Sequence, residues 1–258
     1  MALLAFLIVV ALGAVGYFFV YPLFVEEGME TTTTPPPPPV LPETSEVPET
    51  TPTQSEVPEP EAPAADPFQG IGGPSSHISL FRTAPDTTTE VVLAAPTLAA
   101  LKAALPSGSV ATPLMSEVVI KMPSGSVFPF SKLAPLIAPT FFTPERLASF
   151  DDDATYFTYA DGNGTWLGIA APLKAGAPIG PVQDGMSALQ GNPDLANFFL
   201  ESPGEKGVWA DGNVHGKPTS LVSFEAPGAT FSYTWFERNL LLSTNFTAAG
   251  EAATRLGF

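Results

Sequence analysis

The sequence predicts an α+β domain carried behind an N-terminal transmembrane helix and a disordered, proline-rich linker. Three observations lead there. The first twenty-five residues are apolar and uncharged. The next fifty or so are dominated by Pro, Thr, Ser and Glu. Beyond residue 76, period-2 strand patterns alternate with short helical ones, the signature of an antiparallel sheet with helices mainly on one face. The expected division is therefore 1–25 for the membrane helix, 26–76 for the linker and 77–258 for the outer domain, with a possible split into two subdomains near residue 150.

Ala2 to Val25 contains no Asp, Glu, Lys or Arg, and only Pro22 interrupts it late. Such a run reaches about 36 Å as a helix, enough for a hydrocarbon core of roughly 30 Å. Tyr17, Phe18, Phe19, Tyr21 and Phe24 gather at its end like an interfacial aromatic belt. Neither flank carries Lys or Arg, so orientation follows from the character of the linker: N-terminus in, C-terminal domain outside the cytoplasm. The bare flank also raises the expectation of a start upstream of Met1. A cleaved signal peptide is the competing reading, since Ala14-Val15-Gly16 offers a small-x-small site and a secreted form would begin near Tyr17.

Four threonines and five consecutive prolines, Pro35 to Pro39, open the low-complexity stretch, and Pro-Glu-Thr phrases continue it. Proline fixes φ and removes amide donors, so this segment favours polyproline II and builds no core. A spacer is the expected role; a Pro-rich ligand or glycosylated stalk is the alternative. Leu41-Pro-Glu-Thr-Ser45 mimics a sortase signal, but Ser replaces the required Gly and the apolar segment precedes it rather than follows.

In the outer domain, residues 77–83 and 90–94 read as strands. Thr97 caps a short helix over 98–105, and 114–122 is a strand centred on Val118, Val119 and Ile120. Helices are expected at 131–138 and 143–150, the latter started by Thr143-Pro-Glu-Arg. Asp161-Gly-Asn-Gly joins a hairpin of 154–160 and 165–171. Helices at 181–190 and 193–200 come next, then strands at 207–210, 221–224, 230–236 and 240–244. Thr247 is expected to cap a last helix ending at Leu256.

Charge and composition exclude several classes. All ten Lys and Arg lie at or beyond Arg82, and the net charge is −16. Nucleic acid and anionic lipid headgroups are thus not expected partners, because both are held by clustered bases. With no cysteine there is no disulfide or thiolate site. Asp161-Gly-Asn163-Gly-Thr165 opens like a calcium loop, but the position needing a bidentate Glu is Pro172. Asp151, Asp152 and Asp153 form a dense acidic cluster, read as a helix end and solvated loop rather than a calcium site. His77 and His215 lack the paired spacing of zinc ligands and read as exposed and inert. Ala-Asp-Gly-Asn occurs at 160–163 and 210–213, which shared turn chemistry explains. The sequons at Asn163 and Asn245 read as chance, and Trp166, Trp209 and Trp235 as core. No motif nominates a catalytic, cofactor-binding or metal-binding residue.

The hairpin Tyr156-Phe-Thr-Tyr with Trp166-Leu-Gly-Ile, then Phe231-Ser-Tyr-Thr-Trp and Leu240-Leu-Leu-Ser-Thr before a closing helix, resembles the outer domains of bacterial single-pass, membrane-anchored surface proteins with a Pro-rich spacer. That resemblance covers the layout and about the last hundred residues, and it implies no activity. The expected function is a non-enzymatic binding or structural surface module, with an envelope protein or glycan as partner and the membrane engaged through residues 2–25. An envelope hydrolase built from dispersed residues, using acids or Ser with His77 or His215, is the alternative.

Overall fold

The computed structural model describes residues 66–258. The expected membrane helix and the linker through residue 65 lie outside the described residues. Among the described residues, no helix is long and apolar enough to cross a membrane.

Fifteen elements follow one another: β1 (Thr87–Val92), α1 (Leu98–Ala104), β2 (Leu114–Lys121), α2 (Phe130–Ile137), α3 (Pro144–Leu147), β3 (Thr155–Asp161), β4 (Gly164–Pro172), α4 (Ile179–Gly185), two 3-10 helices (Met186–Gly191 and Pro193–Phe198), β5 (Lys206–Val214), β6 (Lys217–Phe224), β7 (Thr230–Phe236), β8 (Asn239–Ser243) and α5 (Phe246–Leu256). The strands form one sheet in the order β1-β2-β3-β4-β8-β7-β6-β5. The fold is α+β, as the alternating patterns predict, but the sheet is mixed rather than antiparallel. β1 runs parallel to β2, and every other pair is antiparallel. A parallel neighbour needs a crossover connection, and the stretch containing α1 supplies it. The sheet spans residue 150 without a break, and the described residues belong to one compact unit with a continuous core.

Strand register separates the two faces. Thr88, Glu117, Phe157, Gly168, Ser243, Ser232 and Leu221 are successive partners across the sheet and share one face. Val118, Tyr156, Ile169, Leu242 and Tyr233 form the neighbouring row on the other. α5 lies on the first face, where Phe258 just beyond it packs on Phe236 with ring centroids 4.8 Å apart. The second 3-10 helix covers the opposite face, with Phe198 against Phe231 at 4.8 Å. α2 and the loop to α3 join it there through the Phe130–Phe142 and Phe142–Phe198 contacts.

Several expected elements differ: the helix at 143–150 is a single turn, Pro144–Leu147, and that at 193–200 is a 3-10 helix, Pro193–Phe198. Residues 77–83 are no strand: they cross the Glu117 face and are held by side chains. The amide of Leu80 donates to Thr155 Oγ1 at 2.9 Å, Phe81 packs on Phe157 at 5.8 Å, and the amides of Arg82 and Thr83 donate to the Arg255 carbonyl. The β5–β6 hairpin is much longer than the two short strands expected. Its turn lies at His215 (φ 49°) and Gly216 (φ 78°), with the Gly216 amide donating to Asn213 Oδ1 at 2.7 Å. The second Ala-Asp-Gly-Asn is therefore within an edge strand, not a turn. Finally, packing starts before residue 77: Phe68 is buried against Phe128.

Candidate functional site

Two features of the described residues bring chemistry together: a half-buried histidine between two carboxylates, and an apolar cavity on the face opposite α5.

β2 delivers Glu117 to the face crossed by residues 77–83, and the loop before β3 delivers Asp153. His77 lies between them. Its Nδ1 is 2.5 Å from Asp153 Oδ1 and its Nε2 3.1 Å from Glu117 Oε1. Asp153 Oδ2 also accepts the Ile78 amide at 2.7 Å. The side chains are only 9%, 5% and 17% exposed for His77, Glu117 and Asp153. A neutral imidazole has one N–H and one lone pair, whereas both nitrogens here face carboxyl oxygens; with both carboxylates ionised, the imidazolium alone satisfies both. Burial, the largest single influence, pulls the imidazole towards neutrality. Hydrogen bonds to Glu117 and Asp153, with their charges, outweigh it and hold the His77 pKa above its ordinary value.

The imidazole separates the carboxylates, so these three groups do not converge on a common point. Among the described residues no group of three or more His, Asp or Glu is arranged to hold a metal ion. Nor does His77 act as a general base towards serine here, because Glu117 occupies the nitrogen that would take the proton. His77 and Glu117 themselves line an open groove of about 400 Å³, together with Ser76, Ser79, Thr88, Glu90 and Lys121 among others. Lys121 Nζ pairs with Glu90 Oε1 at 2.6 Å across it.

The cavity of about 250 Å³ lies between the α2–α3 loop, α3 and α4. Phe141, Phe142, Phe150, Pro181, Val182 and Met186 make most of its wall; Glu145, Arg146 and Ser149 add polar groups. Arg146 is fixed rather than free: its guanidinium stacks 4.2 Å from the Phe141 ring centroid, and Nη1 donates to the Phe141 carbonyl at 3.0 Å. Behind the cavity Trp235 stacks on Phe150 at 6.4 Å. Its buried Nε1 has no hydrogen-bond partner.

The residues singled out in the sequence are placed as follows. Of the acidic cluster, Asp151 is exposed as a solvated loop would have it, but Asp152 and Asp153 are half-buried and hold structure. Asp152 Oδ1 accepts the Ser131 amide at the start of α2, and Asp153 holds His77 and Ile78. Asp161 closes the β3–β4 turn, its Oδ1 accepting from the Asn163 and Gly164 amides and from Trp166 Nε1. That carboxylate is spent on the hairpin. His215 is exposed on its turn, 3.4 Å from Thr254 Oγ1. Asn245, not Thr247, caps α5, accepting the Ala248 amide through Oδ1 at 2.9 Å. Its Nδ2 donates to the Gly228 carbonyl, so the Asn245 sequon is buried and engaged. Trp166 is buried, and Trp209 and Trp235 are half-buried.

Sequence reasoning missed the His77 cluster. A lone histidine forty residues from one partner and seventy-six from the other gives no spacing signal. No protein-family model matches the chain, and comparisons with curated proteins and solved structures found no similar protein.

Proposed function

We propose that the chain is a single-pass membrane-anchored surface module, and that its outer domain binds a protein partner without catalysing a reaction. Residues 2–25 are the anchor, with the N-terminus in the cytoplasm and the domain outside. The observation that carries the binding reading is the cavity between α3 and α4. An engineered cavity of about 150 Å³ holds benzene, whereas small-molecule pockets run from about 300 Å³ upward. A volume of about 250 Å³ lies between them. It suits one aromatic or branched aliphatic side chain, the kind of anchor that dominates protein interfaces. Met186 in the wall adapts to either shape, and Arg146 and Glu145 supply the polar contacts that orient such an anchor.

N-acetyl amino-acid amides of Phe, Leu, Ala and Lys test this when titrated against residues 66–258, which carry their own core and sheet. The Met186 methyl resonance reports binding. The Phe and Leu amides should shift it, and the Ala and Lys amides should not. Gly185→Trp should abolish the response, because a Cβ at Gly185 meets nothing within 4 Å and the residue lines the cavity. A methyl resonance indifferent to all four amides removes the proposal. Topology is checked by a reporter active only outside the cytoplasm, fused after Phe258; a fusion that works only with a cytoplasmic reporter reverses the orientation.

A further inference from the structure

We propose that His77, Glu117 and Asp153 form a proton-operated latch: the imidazolium fastens residues 75–79 to the sheet, and loss of its proton releases them. These residues lie between two fixed points, Pro74, whose carbonyl accepts the Val127 amide, and Leu80, so the latch governs a short loop across the sheet face. This inference is independent of the cavity and of what binds there.

The geometry allows one closed state. With the imidazolium, Nδ1–H points at Asp153 and Nε2–H at Glu117, at 2.5 and 3.1 Å. Removing the proton leaves a nitrogen lone pair facing a carboxylate. Either nitrogen suffers this, since both partners are acidic.

No other charge makes up the deficit. Besides Glu117 from β2 and Asp153, the loop before β3 carries Asp151 and Asp152. Of the other charged residues lining the groove, Glu90 on β1 and Lys121 on β2 pair with each other. The surroundings of the imidazole are thus negative on every side that bears charge, which favours the protonated form. This agrees with the raised His77 pKa.

Release is local. Asp153 holds His77 and, through its second oxygen, the Ile78 amide, so one carboxylate carries both bonds. Beyond Ile78 the segment is tied independently of the proton, by the Leu80 amide on Thr155 Oγ1 and by Phe81 on Phe157. Opening therefore stops at Leu80. Ile78 is already 75% exposed, and no apolar anchor resists its leaving.

The test uses the full chain in phosphatidylcholine nanodiscs with 13C-labelled histidine. His77 and His215 are the two histidines, so each resonance can be assigned with one variant. Ile78 amide exchange is followed over the same pH range and corrected for the intrinsic chemical rate. His77 should titrate above 6.5, the ordinary value. The corrected protection of Ile78 should fall at least tenfold across that same midpoint, while that of Leu242 in β8 stays flat. Glu117→Gln should move the His77 titration and the Ile78 transition down together, and His77→Gln should leave Ile78 unprotected at every pH. A His77 midpoint at or below the ordinary value overturns the latch. So does Ile78 protection that stays constant through the His77 transition, a readout of the unaltered chain that holds even if a variant misfolds.

Discussion

Gly168 occupies the centre of β4, and its replacement by alanine should be among the costlier small substitutions in the protein. A Cβ built there meets Phe157 Cζ at 2.0 Å, with two further ring carbons at 2.3 and 2.6 Å. The two residues are direct cross-strand partners on the α5 face, so the Phe157 ring lies across the glycine backbone. That ring has no room to withdraw: it is fully buried and packed on Phe81. Overpacking of this kind costs about 1–3 kcal/mol, and the rigidity here puts the expectation at the upper end. The same change has the opposite sign once the ring is gone. Phe157→Ala alone should cost about 3–5 kcal/mol. In that background, Gly168→Ala relieves the entropy of a strand glycine and should be neutral or stabilising by about 0.5–1 kcal/mol. The coupling between the two sites is then roughly 2–4 kcal/mol, the sum of the avoided clash and the recovered strand preference. Urea denaturation of residues 66–258, followed by tryptophan fluorescence for the wild type, both single variants and the double variant, measures it. Additive effects, or a Gly168→Ala variant as stable as wild type, would falsify the ring-over-glycine arrangement.

Further expectations concern single groups. Asn245→Ala should lower stability by about 1–2 kcal/mol in the same denaturation assay, because the α5 cap at the Ala248 amide is lost together with the bond to the Gly228 carbonyl. Tyr156→Phe should stabilise by about 1 kcal/mol, since the Tyr156 hydroxyl is buried without a partner; a destabilised variant would reveal a partner for that hydroxyl. The Tyr156 pKa is pushed well above its ordinary value by burial, with the charges of Asp152 and Asp153 adding to it, and burial also raises Tyr159, so alkaline spectrophotometric titration should find Tyr156 the most resistant to ionisation, with Tyr159 also late. His77 has a raised folded-state pKa, so its contribution to stability is complete below its unfolded value of 6.5 and is lost as pH rises through the folded value. Stability of wild type relative to His77→Gln, measured across pH, should therefore shrink on the alkaline side; an unchanged or widening gap contradicts it.

Where local chemistry decides an element, the sequence shows it. The β3–β4 hairpin follows from alternating Tyr, Phe, Thr and Trp around Asp161-Gly-Asn-Gly, and Asp161 serves the turn in the structure. The long helix α5 and strands β7 and β8 were equally legible from their periodicity. Identical local chemistry failed at its second appearance. Asp211-Gly-Asn213 is a turn by composition, yet it pairs with Ser220, Thr219 and Pro218 as an edge strand. Its partner β6 dictates that, and the turn falls two residues later at His215-Gly216. Edge strands tolerate such polar sequence because one side of the ladder is open and apolar pairing there invites aggregation. The parallel β1–β2 pair was hidden for a related reason. Strand direction is set by the crossover through α1, and no single strand's composition records it.

The site was less legible than the fold, and His77 shows why. As a sequence feature it is an isolated histidine at the end of a low-complexity stretch, and its apolar neighbours Ile78, Leu80 and Phe81 suggest a strand. A strand would have satisfied the amides of Ile78 and Leu80 with carbonyls. The fold instead satisfies them with Asp153 Oδ2 and Thr155 Oγ1, side chains more than seventy residues away. Backbone satisfaction is obligatory for packed segments, so a non-strand segment on a sheet face must draw acceptors from somewhere. Here they come from the acidic cluster that composition alone marks as solvated. Once Asp153 is committed to Ile78, its other oxygen is fixed beside the imidazole, and Glu117 on the same face closes the opposite side. The pairing of His77 with two acids thus follows from how residues 77–80 cross the sheet. The cost of that arrangement is a segment whose attachment depends on one proton.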